Sequence, residues 1–145
     1  PLPPTVLVST TITTGLCAMR YLIWAAGIYY LGQGVVMWAW PLAWYEATPG
    51  VAMTGPFNPH FVRDIALIQA VSGLAILHGI RLRSRDVLIT GIAWPALHAI
   101  YHAATWIGRG VPFDMLALVN LGAIQVPVWT TLALILSISK QENRP

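Results

Sequence analysis

Charge is what this chain has least of. Eight Lys and Arg and five Asp and Glu make up 9% of 145 residues, against 57% hydrophobic. A soluble domain carries roughly 25% charged residues. Thirteen charges cannot coat a water-facing surface of this size, and a chain this apolar does not stay disordered. The net charge of +3 comes from scattered residues and forms no basic stripe, so nucleic acid is not an expected partner. Cysteine is nearly missing too. Cys17 alone excludes an internal disulfide, a CxxC redox pair and a Cys-based zinc site. In its apolar surroundings it reads as a small hydrophobe. The stretch from Thr5 to Met19 has no charge, but it lacks the basic residues that precede the apolar core of a cleaved signal. It reads as an interfacial or partly buried lead-in. Internal repeats and low-complexity tracts are absent from the sequence.

What is present is a set of long uncharged runs. A membrane helix needs about 20 predominantly apolar residues. Marking every charge leaves four spans, at about 21–40, 62–80, 87–108 and 115–139. The expected fold is therefore an all-α integral membrane four-helix bundle, with residues 1–145 as a single transmembrane domain. Pro41 closes the first span, because proline lacks the N–H a continuing helix requires. Orientation follows from Lys and Arg in short loops. Arg20, Arg81, Arg83, Arg85, Lys140 and Arg144 share one side, and Arg63 and Arg109 the other. That puts both termini in the cytoplasm of a bacterial inner membrane. Trp38, Trp40, Trp44 and Trp106 fall near the outer boundary, where an apolar ring with a polar N–H is favoured. Arg81, Arg83 and Arg85 read as topology determinants, with a specific lipid site as the alternative.

The segment 41–64, PLAWYEATPGVAMTGPFNPHFVRD, is rich in proline and glycine, which forbid a long helix and favour rigid turns. Asn58-Pro59 is a helix start, Asn as N-cap and Pro at the first helical position. The run TGPFNPHFVRD resembles a signature of small bacterial inner-membrane proteins with four spans, loosely similar to the DoxX-like group. The resemblance implies fold and location and carries no activity.

Polar residues inside a membrane are costly and are candidates for function or packing. At a rise of about 1.5 Å per residue, Asp64 lies ~3 Å below the outer boundary, His102 ~9 Å, Gln33 and Gln69 ~10 Å, Asn120 ~12 Å and His98 ~15 Å. Each helix thus places a polar side chain in the outer half, with Glu46 above that layer in the loop. His98 and His102 form an HxxxH pair, and His60 and Asp64 a second i,i+4 pair. Imidazole suits Zn, Cu and Fe, and a carboxylate adds a hard ligand. The functional reading is an outward-facing transition-metal site of His60, Asp64, His98 and His102, beside a polar pocket of Gln33, Glu46, Gln69 and Asn120. The structural reading has these histidines hydrogen-bonded within the bundle or set among headgroups. A b-type haem is not expected, because His78 and His98 differ in level by ~9 Å.

Smaller expectations complete the reading. Arg63 snorkels to lipid phosphate, and Asp64 supports the helix start or pairs with Arg109. Asp114 caps the fourth span. Pro95 and Pro127 free the carbonyls of Gly91 and Ala123 and should kink their helices. Two readings of function follow. The first is an accessory or structural subunit, whose partners are lipids and the other subunits of a larger membrane complex. The second is the outward His/carboxylate pocket, holding a metal ion or small ligand and open to catalysis. A channel or transporter ranks last, since no charge lies deep in any span.

Overall fold

In the computed structural model, which describes residues 4–142 and the side chains of 15–138, every regular element is helical. Helix α1 spans Pro4–Ala39, α2 Pro41–Ala47, α3 Pro59–Leu82, α4 Arg85–Gly108, α5 Met115–Val119 and α6 Val126–Glu142. A 3₁₀ turn covers Val51–Thr54, and a π-helical turn at Asn120–Gln125 joins α5 to α6. Four stretches are long and apolar enough to cross a membrane: Gly15–Ala39, Pro59–Leu82, Arg85–Gly108 and Met115–Ile138. Large apolar side chains such as Ile28, Leu74, Leu97 and Val126 lie exposed along them. Water would penalise that surface, whereas lipid does not. The chain is thus a membrane-type helical protein.

Two boundaries differ from the sequence reading. Residues 5–19 extend the first helix, because α1 runs unbroken from Pro4. No proline interrupts it, and the charge of Arg20 is accommodated: its guanidinium donates to the Ile80 carbonyl at 3.0 Å, at the far end of α3. The loop after Trp40 is not wholly turn. Pro41 starts the short helix α2, since proline at a first helical position needs no N–H partner.

Caps form at Asn58 and Asp114, where expected, and also at Ser84. Asn58 accepts from the N–H groups of His60 and Phe61 at 3.0 and 3.2 Å, with Pro59 next. Ser84 accepts from Val87 N–H, and Asp114 from Ala117 N–H at 2.9 Å.

Packing around the bundle is cyclic, α1 on α3, α3 on α4, α4 on α6 and α6 back on α1. The α1–α3 seam is the tightest for a reason visible in α1. Ile23, Gly27, Tyr30, Gly34 and Met37 recur at alternating spacings of four and three and are all buried. A Cβ on Gly34 would stand 2.7 Å from the Ala66 carbonyl and the Ala70 nitrogen, and one on Gly73 2.7 Å from the Gly27 carbonyl. Only glycine lets these backbones meet. This register sets Gln33 level with Gln69. On the other side of α3, Gly91 meets Ile76 and Gly79 meets Leu88, which sets His98 level with Gln69.

Two apolar clusters result. The larger includes Ile23, Tyr30, Ile76, Ile92, Ala99, Val128 and Ile135. The smaller, Met37, Val62 and Ala66, is roofed by Trp44 and Phe57 of the loop. The Tyr45 hydroxyl fastens that loop by donating to the Gly55 carbonyl at 2.8 Å.

Candidate functional site

Between the two clusters the bundle interior turns polar. Pro127 has no N–H, so the Ala123 carbonyl loses its partner four residues on. The helix answers by widening: Val126 N–H bonds back to Leu121, five residues away. The Ala123 carbonyl is taken by α1, whose Tyr29 hydroxyl donates to it at 2.7 Å.

The π turn also pairs two amides. Gln125 Nε2 donates to Asn120 Oδ1 at 3.0 Å and to the Ala99 carbonyl on α4 at 2.8 Å. Trp129 Nε1 donates to Gln125 Oε1 at 2.8 Å. An indole N–H only donates, so it fixes which end of Gln125 is oxygen. That in turn makes the Asn120 atom facing Gln125 its oxygen. The amide nitrogen of Asn120 is therefore the group left over, buried without a hydrogen-bond partner, as are Tyr30 OH and Gln69 Oε1.

The residues expected to form a metal site separate into two pairs. His60 Nδ1 and Asp64 Oδ2 lie 2.8 Å apart at the rim, with side chains 85% and 57% exposed. His98 and His102 are half-buried on α4, ring centroids 4.5 Å apart. His98 stacks on Trp94 at 4.7 Å, and the edge of Tyr101 meets His102. Among the described residues no three His, Cys, Asp or Glu side chains come together as a metal site would need. The four-residue set is thus not assembled: each pair offers two ligands, where zinc sites take three or four. The reason is orientation: His60 and Asp64 turn outward at the rim, whereas His98 and His102 pack against Trp94 and Tyr101 of their own helix.

Other expectations divide similarly. Asp64 pairs with His60, and Arg109 with Asp114 instead. Asp114 is five residues from Arg109 and on the same loop, so the local pair forms. Arg63 lies over the Trp38 ring, 5.7 Å from its centroid. Glu46 is exposed on α2 and takes no part in the interior layer. Gln33 is half-buried beside Tyr29. Asn120 belongs to the π-turn network, whereas Gln69 Oε1 is buried without a hydrogen-bond partner. Arg81, Arg83 and Arg85 are exposed around the α3–α4 turn, where Arg83 adopts a left-handed conformation, φ 54°. The residues that sequence reading missed are Gln125, Trp129 and Tyr29. Pro127 was the available signal, since a proline inside a span implies a freed carbonyl and a local change of helical pitch. Comparison with known protein families, curated proteins and solved structures finds no match to this chain.

Proposed function

We propose that the chain is an accessory subunit of a bacterial inner membrane, with both termini cytoplasmic, that docks one face of α1 against a transmembrane helix of a larger membrane protein. One observation carries this reading. Opposite the buried seam, α1 repeats the same pattern on its outside. Ala18, Ala25, Gly32 and Ala39 recur every seven residues, with Tyr21, Ile28 and Val35 three positions after the first three, and all seven are exposed. A Cβ on Gly32 would touch nothing. Lipid gives large apolar side chains no reason to be replaced by small ones, whereas a neighbouring helix does, because small residues let backbones approach. On the buried side of the same helix, Gly27 and Gly34 serve that purpose against α3. The sustained spacing of seven suits a left-handed crossing with another helix.

The test places a photo-crosslinking amino acid at Ile28 and, as a control, at Leu74 on α3. The reading expects one protein adduct of fixed mass from Ile28 and none from Leu74. The adducted protein should co-purify in stoichiometric amount and be lost on Gly32→Ile with the helical content unchanged. An adduct of twice the chain's mass would make the face a self-association seam, and lipid adducts alone would leave no partner; either result ends this reading. Orientation is tested separately: cysteines at Gly55 and Ser84, in a Cys17→Ser background, should react from outside intact cells at Gly55 only.

A further inference from the structure

We infer that the flank of α4 open to the bilayer binds a small uncharged molecule dissolved there, one with a hydroxyl on an aromatic ring, through the imidazoles of His98 and His102. Trp94, His98, His102 and Trp106 recur every four residues and form one half-buried column on that helix. Its middle is continuous: Trp94 stacks on His98 at 4.7 Å, and the two imidazoles meet at 4.5 Å between ring centroids.

The imidazoles stand out by what they do not bond. At a rise of about 1.5 Å per residue, His102 lies ~9 Å and His98 ~15 Å in from the Gly108 end of the helix. On the same helix Thr90 and Thr105 donate to the Asp86 and Tyr101 carbonyls, and the Trp106 indole donates to Pro112. Among the described residues His98 and His102 make ring contacts and no hydrogen bond. The Trp94 indole N–H and the Tyr101 hydroxyl, on the rings that touch them, are without one too. Nor are the imidazole nitrogens sealed in, since the buried atoms without a partner belong to Tyr30, Gln69 and Asn120. They face hydrocarbon, which offers no hydrogen bond, and an unmet polar group there is costly.

The unmet groups set the chemistry. A neutral imidazole gives one hydrogen bond and accepts another, and a hydroxyl does the same. Trp94 and Tyr101 add aromatic surface, which favours a ring. A metal ion would find two ligands where three or four are needed, and no third gathers among the described residues. A charged ligand would find no Asp, Glu, Lys or Arg between Val87 and Gly108 and would bear the full desolvation cost. A partner helix approaches through small residues, whereas Leu97 and Tyr101, just before each histidine, are large and 67% and 66% exposed. This site does not depend on the α1 docking face.

The full chain, labelled with ¹⁵N-histidine, is placed in lipid nanodiscs and titrated with para-heptylphenol. Imidazole ¹⁵N resonances report hydrogen bonding directly, and the chain has only four histidines. Those of His98 and His102 should move and saturate, while those of His60 and His78 stay. Heptylbenzene keeps the ring without the hydroxyl, and undecanol keeps the hydroxyl without the ring; neither should move them. His98→Phe and His102→Phe keep a ring in the column and should each weaken the apparent affinity about tenfold, the scale of one hydrogen bond. Resonances that the phenol leaves unmoved, that move linearly with it, or that either comparator moves as far would overturn the proposal. So would movement shared by His60 and His78. The comparison of probes uses the unaltered chain, so it decides the matter even if a variant fails to fold.

Discussion

The Tyr29 hydroxyl donates to the Ala123 carbonyl at 2.7 Å, and this contact ties the first long helix to the irregular start of the last. The acceptor is free because Pro127, four residues on, has no N–H to offer. A proline that would otherwise leave a bare carbonyl inside a membrane protein is answered by a tyrosine nearly a hundred residues earlier. Tyr29→Phe should therefore destabilise the bundle by about 1 kcal/mol, read as a lower thermal midpoint in detergent. Replacing Pro127 with Ala in that background should recover part of the loss, because the carbonyl regains a helical partner. No recovery would mean that the π turn is set by something other than the proline.

The α1–α3 seam makes a sharper prediction. Gly73→Ala sets a methyl group against the backbone of Gly27 and Leu31, which cannot yield as a side chain would. The expected cost is about 1–3 kcal/mol. Gly32→Ala, on the exposed face where a Cβ meets nothing, should leave the stability of the isolated chain unchanged or slightly raised, since alanine favours the helix. Equal effects at the two positions would contradict the register described above.

A third prediction concerns pH. The Ala117 N–H, and after it the Arg109 guanidinium, hold the Asp114 carboxyl below its usual range. A carboxyl whose pKa is lowered by folding stabilises the folded form above its ordinary value and loses that contribution as pH falls through the lowered one. The cap on α5 should loosen only in acid below the normal aspartate range. Trp106 reports it, because its indole donates to the Pro112 carbonyl at 2.9 Å and its ring meets Phe113 edge-on. Its fluorescence should change with acid in the unaltered chain, and Asp114→Asn should abolish that acid transition.

The Gln125 orientation supplies a fourth. Trp129→Phe removes the donor that fixes the amide. Gln125 is then free to turn, and Asn120 with it, so the thermal midpoint in detergent should fall by the scale of one hydrogen bond while helical content is retained. An unchanged midpoint would show that Trp129 does not orient the pair.

How much of this was readable beforehand differs by kind of feature. The four spans follow from charge placement alone, because a charge inside a helix in lipid is costly wherever that helix packs. The caps at Asn58 and Asp114 were equally legible, since a cap depends on residues within one turn. The freed carbonyl of Ala123 could be foretold from Pro127, but not what would satisfy it.

The candidate site was legible only in part. Gln69 and Asn120 stood out as polar residues at similar depth. Their companion Gln125 did not. On an ideal α-helix, at roughly 100° per residue, positions five apart diverge by about 140°. The π turn, whose hydrogen bonds span five residues, brings Gln125 back over Asn120.

The metal reading failed to assemble for the same kind of reason. Spacing along one helix shows that His98 and His102 are neighbours, but it says nothing of whether His60 and Asp64 on another helix arrive at the same point. Sequence by itself determined where the chain leaves water and where each helix begins, because those depend on local composition and on one turn of backbone. Which polar groups meet inside, and which of them stay unpaired, was decided by the tertiary structure, through glycine contacts that fix helix register and one proline that changes helical pitch.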